Sequence, residues 1–133
     1  PVSTLDIDCI LEPEQISRSL ATEIDMLEPY GVSNTVPVLA MQGMIIEDVI
    51  PVGMNRHLKL ILSKNGMSFT AMRFCTAIED LGYEIGDEID IAFNLEINEF
   101  MNVKTVQFNI KDIIFSNNST ILISPSTISH LFH

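Results

Sequence analysis

The hydrophobic period of the chain changes after Val36, and this change limits the folds open to it. Upstream, Ile16, Leu20, Ile24 and Leu27 recur at spacings of four, four and three, which is one apolar face of a helix. Glu12 and Glu14 favour a helix start through the dipole, and Pro29 and Gly31 favour a stop, so the pattern predicts a helix from Pro13 to Leu27. Downstream the period is two. "EIDIAFNLEIN" alternates most strictly, with Ile89, Ile91, Phe93, Leu95 and Ile97 on one side and Asp90, Asn94, Glu96 and Asn98 on the other. "RHLKLILS" places Leu58, Leu60 and Leu62 opposite His57, Lys59 and Ile61. Lys64-Asn65-Gly66 reads as a hairpin turn, because Asn-Gly accepts positive φ at both central positions.

Three further segments complete the set. "VLAMQGMIIEDVIPVG" is a strand interrupted near Gly43, and "MSFTAMRFC" is the return strand of the Asn-Gly hairpin. "VKTVQFNIKDI" turns Val106, Phe108 and Ile110 inward and Thr105, Gln107, Asn109 and Lys111 outward. Five strand patterns within about 75 residues, with an irregular stretch between the third and fourth, predict a mainly β protein: a five-stranded, OB-fold barrel preceded by one helix. A β-sandwich is the alternative, and it usually needs more strands. The expected organisation is a short strand ("STLDIDCILEP", with Leu5 and Ile7 buried), helix and connecting loop over 1–35, the barrel over 36–113, and a tail over 114–133 that the pattern does not assign.

Charge narrows the function. A net charge of −11 argues against a generic polyanion binder and leaves room for a local basic face. The two cysteines, Cys9 and Cys75, lack metal-site spacing and read as reduced thiols, which fits the cytoplasm. The apolar runs fall short of the ~20 residues that span a membrane, so no membrane partner is expected. The chain opens Pro1-Val2 without a methionine and reads as a piece of something longer.

No glycine-rich phosphate loop, HExxH, CxxC or GxSxG is present, so no catalytic residue and no cofactor or metal site is predicted. The basic residues say more. Six of seven (Arg56, Lys59, Lys64, Arg73, Lys104 and Lys111) fall inside the barrel pattern. Arg56, His57 and Lys59 open the second strand, and Arg73 shares parity with Phe69 on the third. A basic groove with an interleaved aromatic is how a barrel holds a single strand, with phosphates on charges and bases on rings. The candidate nucleic-acid residues are therefore Arg56, His57, Lys59, Lys64, Phe69, Arg73 and Lys111. Phe69 reads equally as core, and Lys64 and Lys104 equally as solvated charges.

The order "LDIDCIL…LEPYGVSNTVPVLA…HLKLILS…FTAMRF…IGDEIDIAFNLEINEF…VQFNIKDI" resembles the C-terminal part of RecJ-type single-stranded-DNA exonucleases, over roughly residues 5–113. That family has a Leu-x-Pro-aromatic-Gly-x-Gly-Asn-Pro-x-Pro loop before its OB-fold. Pro29, Tyr30, Gly31, Asn34 and Pro37 match the loop, whereas Ser33 and Thr35 depart from it. Asn98 matches the family's Asn-Glu-aromatic ending, Phe100 stands where a larger aromatic is frequent, and Asn102 stands where glycine is common. The resemblance implies a loop in which Pro29 and Gly31 end the helix, Asn34 caps the turn and Pro37 launches the first strand. Tyr30 would pack on the barrel.

It also implies a parent of the DHH phosphoesterase type, whose N-terminal catalytic domains bind manganese or magnesium and cleave DNA from the 5′ end. Those Asp/His motifs are absent from this chain. The expected role is thus a single-stranded-DNA-binding module that holds the strand for catalytic domains elsewhere. The alternative is a protein-interaction module docking on those domains or on a repair partner. An independent enzyme is the weakest of the three readings.

Overall fold

The computed structural model describes residues 3–26 and 36–123. Among these residues, eight strands run in the order β1 (Ser3–Ile7), β2 (Cys9–Ile10), β3 (Leu39–Val52), β4 (His57–Lys64), β5 (Met67–Arg73), β6 (Glu88–Phe100), β7 (Val103–Phe115) and β8 (Ser119–Ile123), with one helix, α1 (Arg18–Asp25), between β2 and β3. The larger sheet has the order β2-β3-β4-β5-β7-β6, and β3 also pairs with β6, so strands β3 to β7 close into a five-stranded barrel. This is the OB-fold arrangement that the alternation predicts.

Local chemistry explains the elements. Leu58, Leu60 and Leu62 are fully buried. Each contributes about 1.5–3 kcal/mol by leaving water. Asn65 and Gly66 both take positive φ, as the tight β4–β5 hairpin requires, and Met101 and Asn102 do the same between β6 and β7. The irregular stretch between the third and fourth barrel strands holds a single 3-10 turn, Ile78–Asp80. β3 bends rather than breaks: its register with β6 shifts between Met41 and Met44, where Gly43 adopts φ +68°. The bend lets one 14-residue strand serve two neighbours, β6 along its first part and β4 along its last.

The helix expectation needs correction. Residues Pro13–Gln15 form a separate 3-10 turn, in which the Glu12 N–H donates to the Gln15 side chain at 2.8 Å. Ile16 is extended, and the helix begins after Ser17, whose hydroxyl accepts from the Leu20 N–H at 3.0 Å. Two start signals lie in tandem, and the second opens the helix. The helix buries Leu20, Ala21 and Ile24.

The unassigned tail supplies the second surprise. β8 pairs in parallel with β1, from Ser3↔Ser119 to Ile7↔Ile123. This small sheet covers a second apolar cluster, in which Leu5 and Ile7 pack with Ala40, Ala92 and Ile114. Alanines at 40 and 92 keep the barrel wall low where β1 lies over it. Among the described residues no helix is long and apolar enough to cross a membrane.

Candidate nucleic-acid interface

The candidate face forms where β4 and β5 run side by side. Inward leucines on β4 force His57 and Lys59 outward, and register continues the outer row across the barrel: Ile50↔Lys59, Lys59↔Met72, Met72↔Asn109. Lys59 is thus half-buried between two apolar neighbours, with its chain along the wall. His57 stands on the same face. Its Nδ1 accepts from the Cys75 N–H at 2.9 Å, and its ring meets Phe74 edge-on at 5.5 Å. That bond leaves Nε2 to carry the ring proton of the neutral form. Arg56 is exposed in the β3–β4 loop, its Nε donating to the Gly53 carbonyl at 3.0 Å. The loop is tied down further: Asn55 accepts from the Ile78 N–H and donates to the Glu79 carboxylate.

Other sequence-nominated residues sit elsewhere. Lys64, at the far end of β4, pairs with Glu12 at 3.1 Å, its side chain only 17% exposed. Arg73 turns back onto β7, where its Nη1 donates to the Ile110 and Lys111 carbonyls at 3.3 and 3.0 Å. Lys111 is exposed, and the β6–β7 register shift makes it the extra residue of a bulge. Lys104 lies across from Glu99 on the β6–β7 hairpin. Phe69 faces inward and stacks on Phe108 at 5.1 Å, which in turn stacks on Phe93 at 4.2 Å. Its parity with the buried Ala71 dictates this, so the ring serves the core. The outward aromatic is Phe74, just beyond β5 and 47% exposed beside His57. The alternation of "MSFTAMRF" carries that signal, because Ser68, Thr70, Met72 and Phe74 share the parity opposite to Ala71.

The resemblance motifs acquire physical reasons. Gly86 takes φ +95°, and the Asp87 carboxylate accepts from the Glu84 N–H at 2.8 Å, closing the turn before β6. Asp90 is buried, and its Oδ1 accepts from the Gly43 N–H at 2.9 Å and the Ser116 hydroxyl at 2.7 Å. It thereby fixes the bend of β3. Asn94 donates to the Pro37 carbonyl at 2.7 Å, and Asp8 accepts from the Val38 N–H at 2.8 Å, which positions the start of β3. Pro37 is buried there. Asn98 is exposed opposite Thr105, and Asn102 has φ +65° where the family often has glycine. Pro29, Tyr30, Gly31 and Asn34 lie outside the described residues.

Among the described residues no three His, Cys, Asp or Glu side chains are grouped to hold a metal ion. The manganese or magnesium that the resemblance implies therefore finds no fitting donor set among the described residues.

Tyr83 donates its hydroxyl proton to the Ile113 carbonyl at 2.8 Å. Burial, then the Asp112 and Asp87 carboxylates, push its ionisation above the ordinary tyrosine value, against an opposing effect of Arg73. The folded state thus holds this proton more tightly than the unfolded chain. The resulting stability is complete below the unfolded value near pH ~10 and is lost as pH rises through the folded value. Cys9, also raised by burial and then by Asp8, loses its contribution as the pH climbs through its own alkaline range. Tyr83→Phe removes one of these protons, so its urea midpoint should fall less steeply than that of the parent chain as pH rises above about 10. Equal slopes would sink the assignment.

A closed five-stranded barrel of this strand order, preceded by one helix, defines an OB-fold domain. Residues 7–112 match the family model described as the RecJ OB domain, and the chain belongs to that family. It is 30% identical over 117 residues to the single-stranded-DNA-specific exonuclease RecJ of Bacillus subtilis, covering 87% of this chain and 15% of that protein. Its fold is similar to that of Thermus thermophilus RecJ crystallised with Mg2+ (TM-score 0.63, 22% identity, 86% of this chain and 17% of that one). The Mn2+ complex of Thermus thermophilus RecJ also matches (TM-score 0.54, 24% identity, 70% of this chain and 13% of that one). The chain spans under a fifth of the length of these relatives.

Proposed function

We propose that this chain is the strand-holding module of a RecJ-like 5′-to-3′ single-stranded-DNA exonuclease. It grips single-stranded DNA for N-terminal catalytic domains of the parent protein, which would carry the manganese or magnesium. The carrying observation is the outer row of β4 and β5. Lys59 lies between Ile50 and Met72, with His57, Phe74 and Arg56 at one end, so a cation and an exposed ring share one face. Such a face accepts phosphates and stacks bases without reading sequence. The Bacillus subtilis relative is a single-stranded-DNA-specific exonuclease, which supports this reading.

Fluorescence anisotropy with a labelled single-stranded oligonucleotide at several salt concentrations tests it. Binding should weaken with salt, and Lys59→Glu should reduce the slope of log affinity against log salt by about 0.7, the value for one single-strand phosphate contact. Phe74→Ala should cost about 1–3 kcal/mol of binding. Salt-insensitive binding, or a preference for duplex, would overturn the proposal. Arg73 is a poor probe, because its loss also releases the β7 carbonyls.

A further inference from the structure

A second surface has the opposite character. The stretch after the 3-10 turn Ile78–Asp80 and the end of β7 frame a groove of about 550 Å3, lined by Ile78, Gly82, Tyr83, Glu84, Asp87 and Phe115. Its wall is aromatic: the Tyr83 and Phe115 rings meet at 4.8 Å with a 56° tilt, and the Tyr83 hydroxyl is pinned to the Ile113 carbonyl. Phe115 and Ile78 remain 46% and 42% exposed, large apolar groups in contact with water.

The rim is acidic. Glu84 and Asp87 line the groove, Glu79 and Asp80 sit on the turn that carries Ile78, and Asp112 acts on Tyr83. The cation that also acts on Tyr83 is Arg73, whose guanidinium donates to the β7 carbonyls. Nucleic acid would bring phosphates against these carboxylates, so the groove does not extend the DNA face. An apolar floor inside a negative rim is complementary to an apolar side chain flanked by cations.

We infer that this groove docks a peptide segment of a partner protein, in which an apolar side chain packs on Tyr83 and Phe115 while flanking lysines or arginines meet the carboxylates.

Nuclear magnetic resonance titration of the isotope-labelled chain tests this with a short synthetic peptide carrying Leu-Phe between two pairs of lysines. One control replaces Leu-Phe by Gly-Ser; another replaces the lysines by glutamates. The Leu-Phe/lysine peptide should shift the amides around Tyr83, Asp87 and Phe115 and bind at least about fivefold more tightly than either control. Phe115→Ser and the exposed Glu84→Lys should each weaken it by about fivefold or more. Should Phe115→Ser fail to fold, Glu84→Lys decides alone. Equal binding by the Gly-Ser peptide would reduce the effect to charge attraction and overturn the proposal. Shifts located elsewhere, or the same shifts produced by an oligonucleotide or by raising protein concentration alone, would overturn it too.

Discussion

Phe108→Ala should lower the unfolding free energy by about 3–5 kcal/mol, the range for truncating a buried aromatic. Phe108 is the middle ring of a three-ring column. Phe93 from β6 lies nearly parallel on one side, at 4.2 Å and 5°, and Phe69 from β5 on the other, at 5.1 Å and 28°. Three strands thus meet through one side chain, and an alanine leaves two faces without partner atoms. Urea denaturation measures the loss; a change below about 1 kcal/mol would mean that the column carries little of the core energy.

Asp90→Ala should cost about 2–4 kcal/mol, although the position reads as a polar outward residue in sequence. The carboxylate is buried, and hydrogen bonds to a charged group contribute about 1.5–3 kcal/mol. Its removal takes the acceptor from the Gly43 N–H and the Ser116 hydroxyl together. Asp90→Asn keeps the size but has one oxygen fewer, and should fall between the two. Thermal unfolding followed by circular dichroism orders the three proteins. An alanine variant as stable as the parent would show that the bend of β3 holds without this anchor.

The alternating strands and the Asn-Gly hairpin were legible because local chemistry decides them: side-chain parity and positive φ need no distant partner. β8 was not legible, because "STILI" is short and is held by β1, more than a hundred residues away in sequence. Asp90 and Asn94 follow the same rule, because their partners Gly43, Ser116 and Pro37 are distant in sequence. Their outward parity was readable, but those partners were not. In the candidate site, parity correctly separates His57 and Lys59 from the leucines of β4. Arg73 and Lys64 find their partners at Ile110, Lys111 and Glu12, contacts that no spacing rule supplies. Phe69 and Phe74 differ by a single step of alternation, and only burial of Ala71 decides which ring faces water.

The β5–β7 junction has a dynamic consequence. It rests on two residue pairs, Ala71↔Phe108 and Met72↔Asn109, with the Arg73 guanidinium bridging to the next carbonyls. Every other seam of the barrel is longer. Native proteins breathe first where few backbone bonds must part together, so the barrel has a built-in slit at this line. Met72 belongs both to the slit and to the row that includes Lys59. A strand lying across that row would bridge the slit, and a ligand that favours the shut form suppresses its opening. Holding DNA and keeping the barrel shut would then be one event at one place.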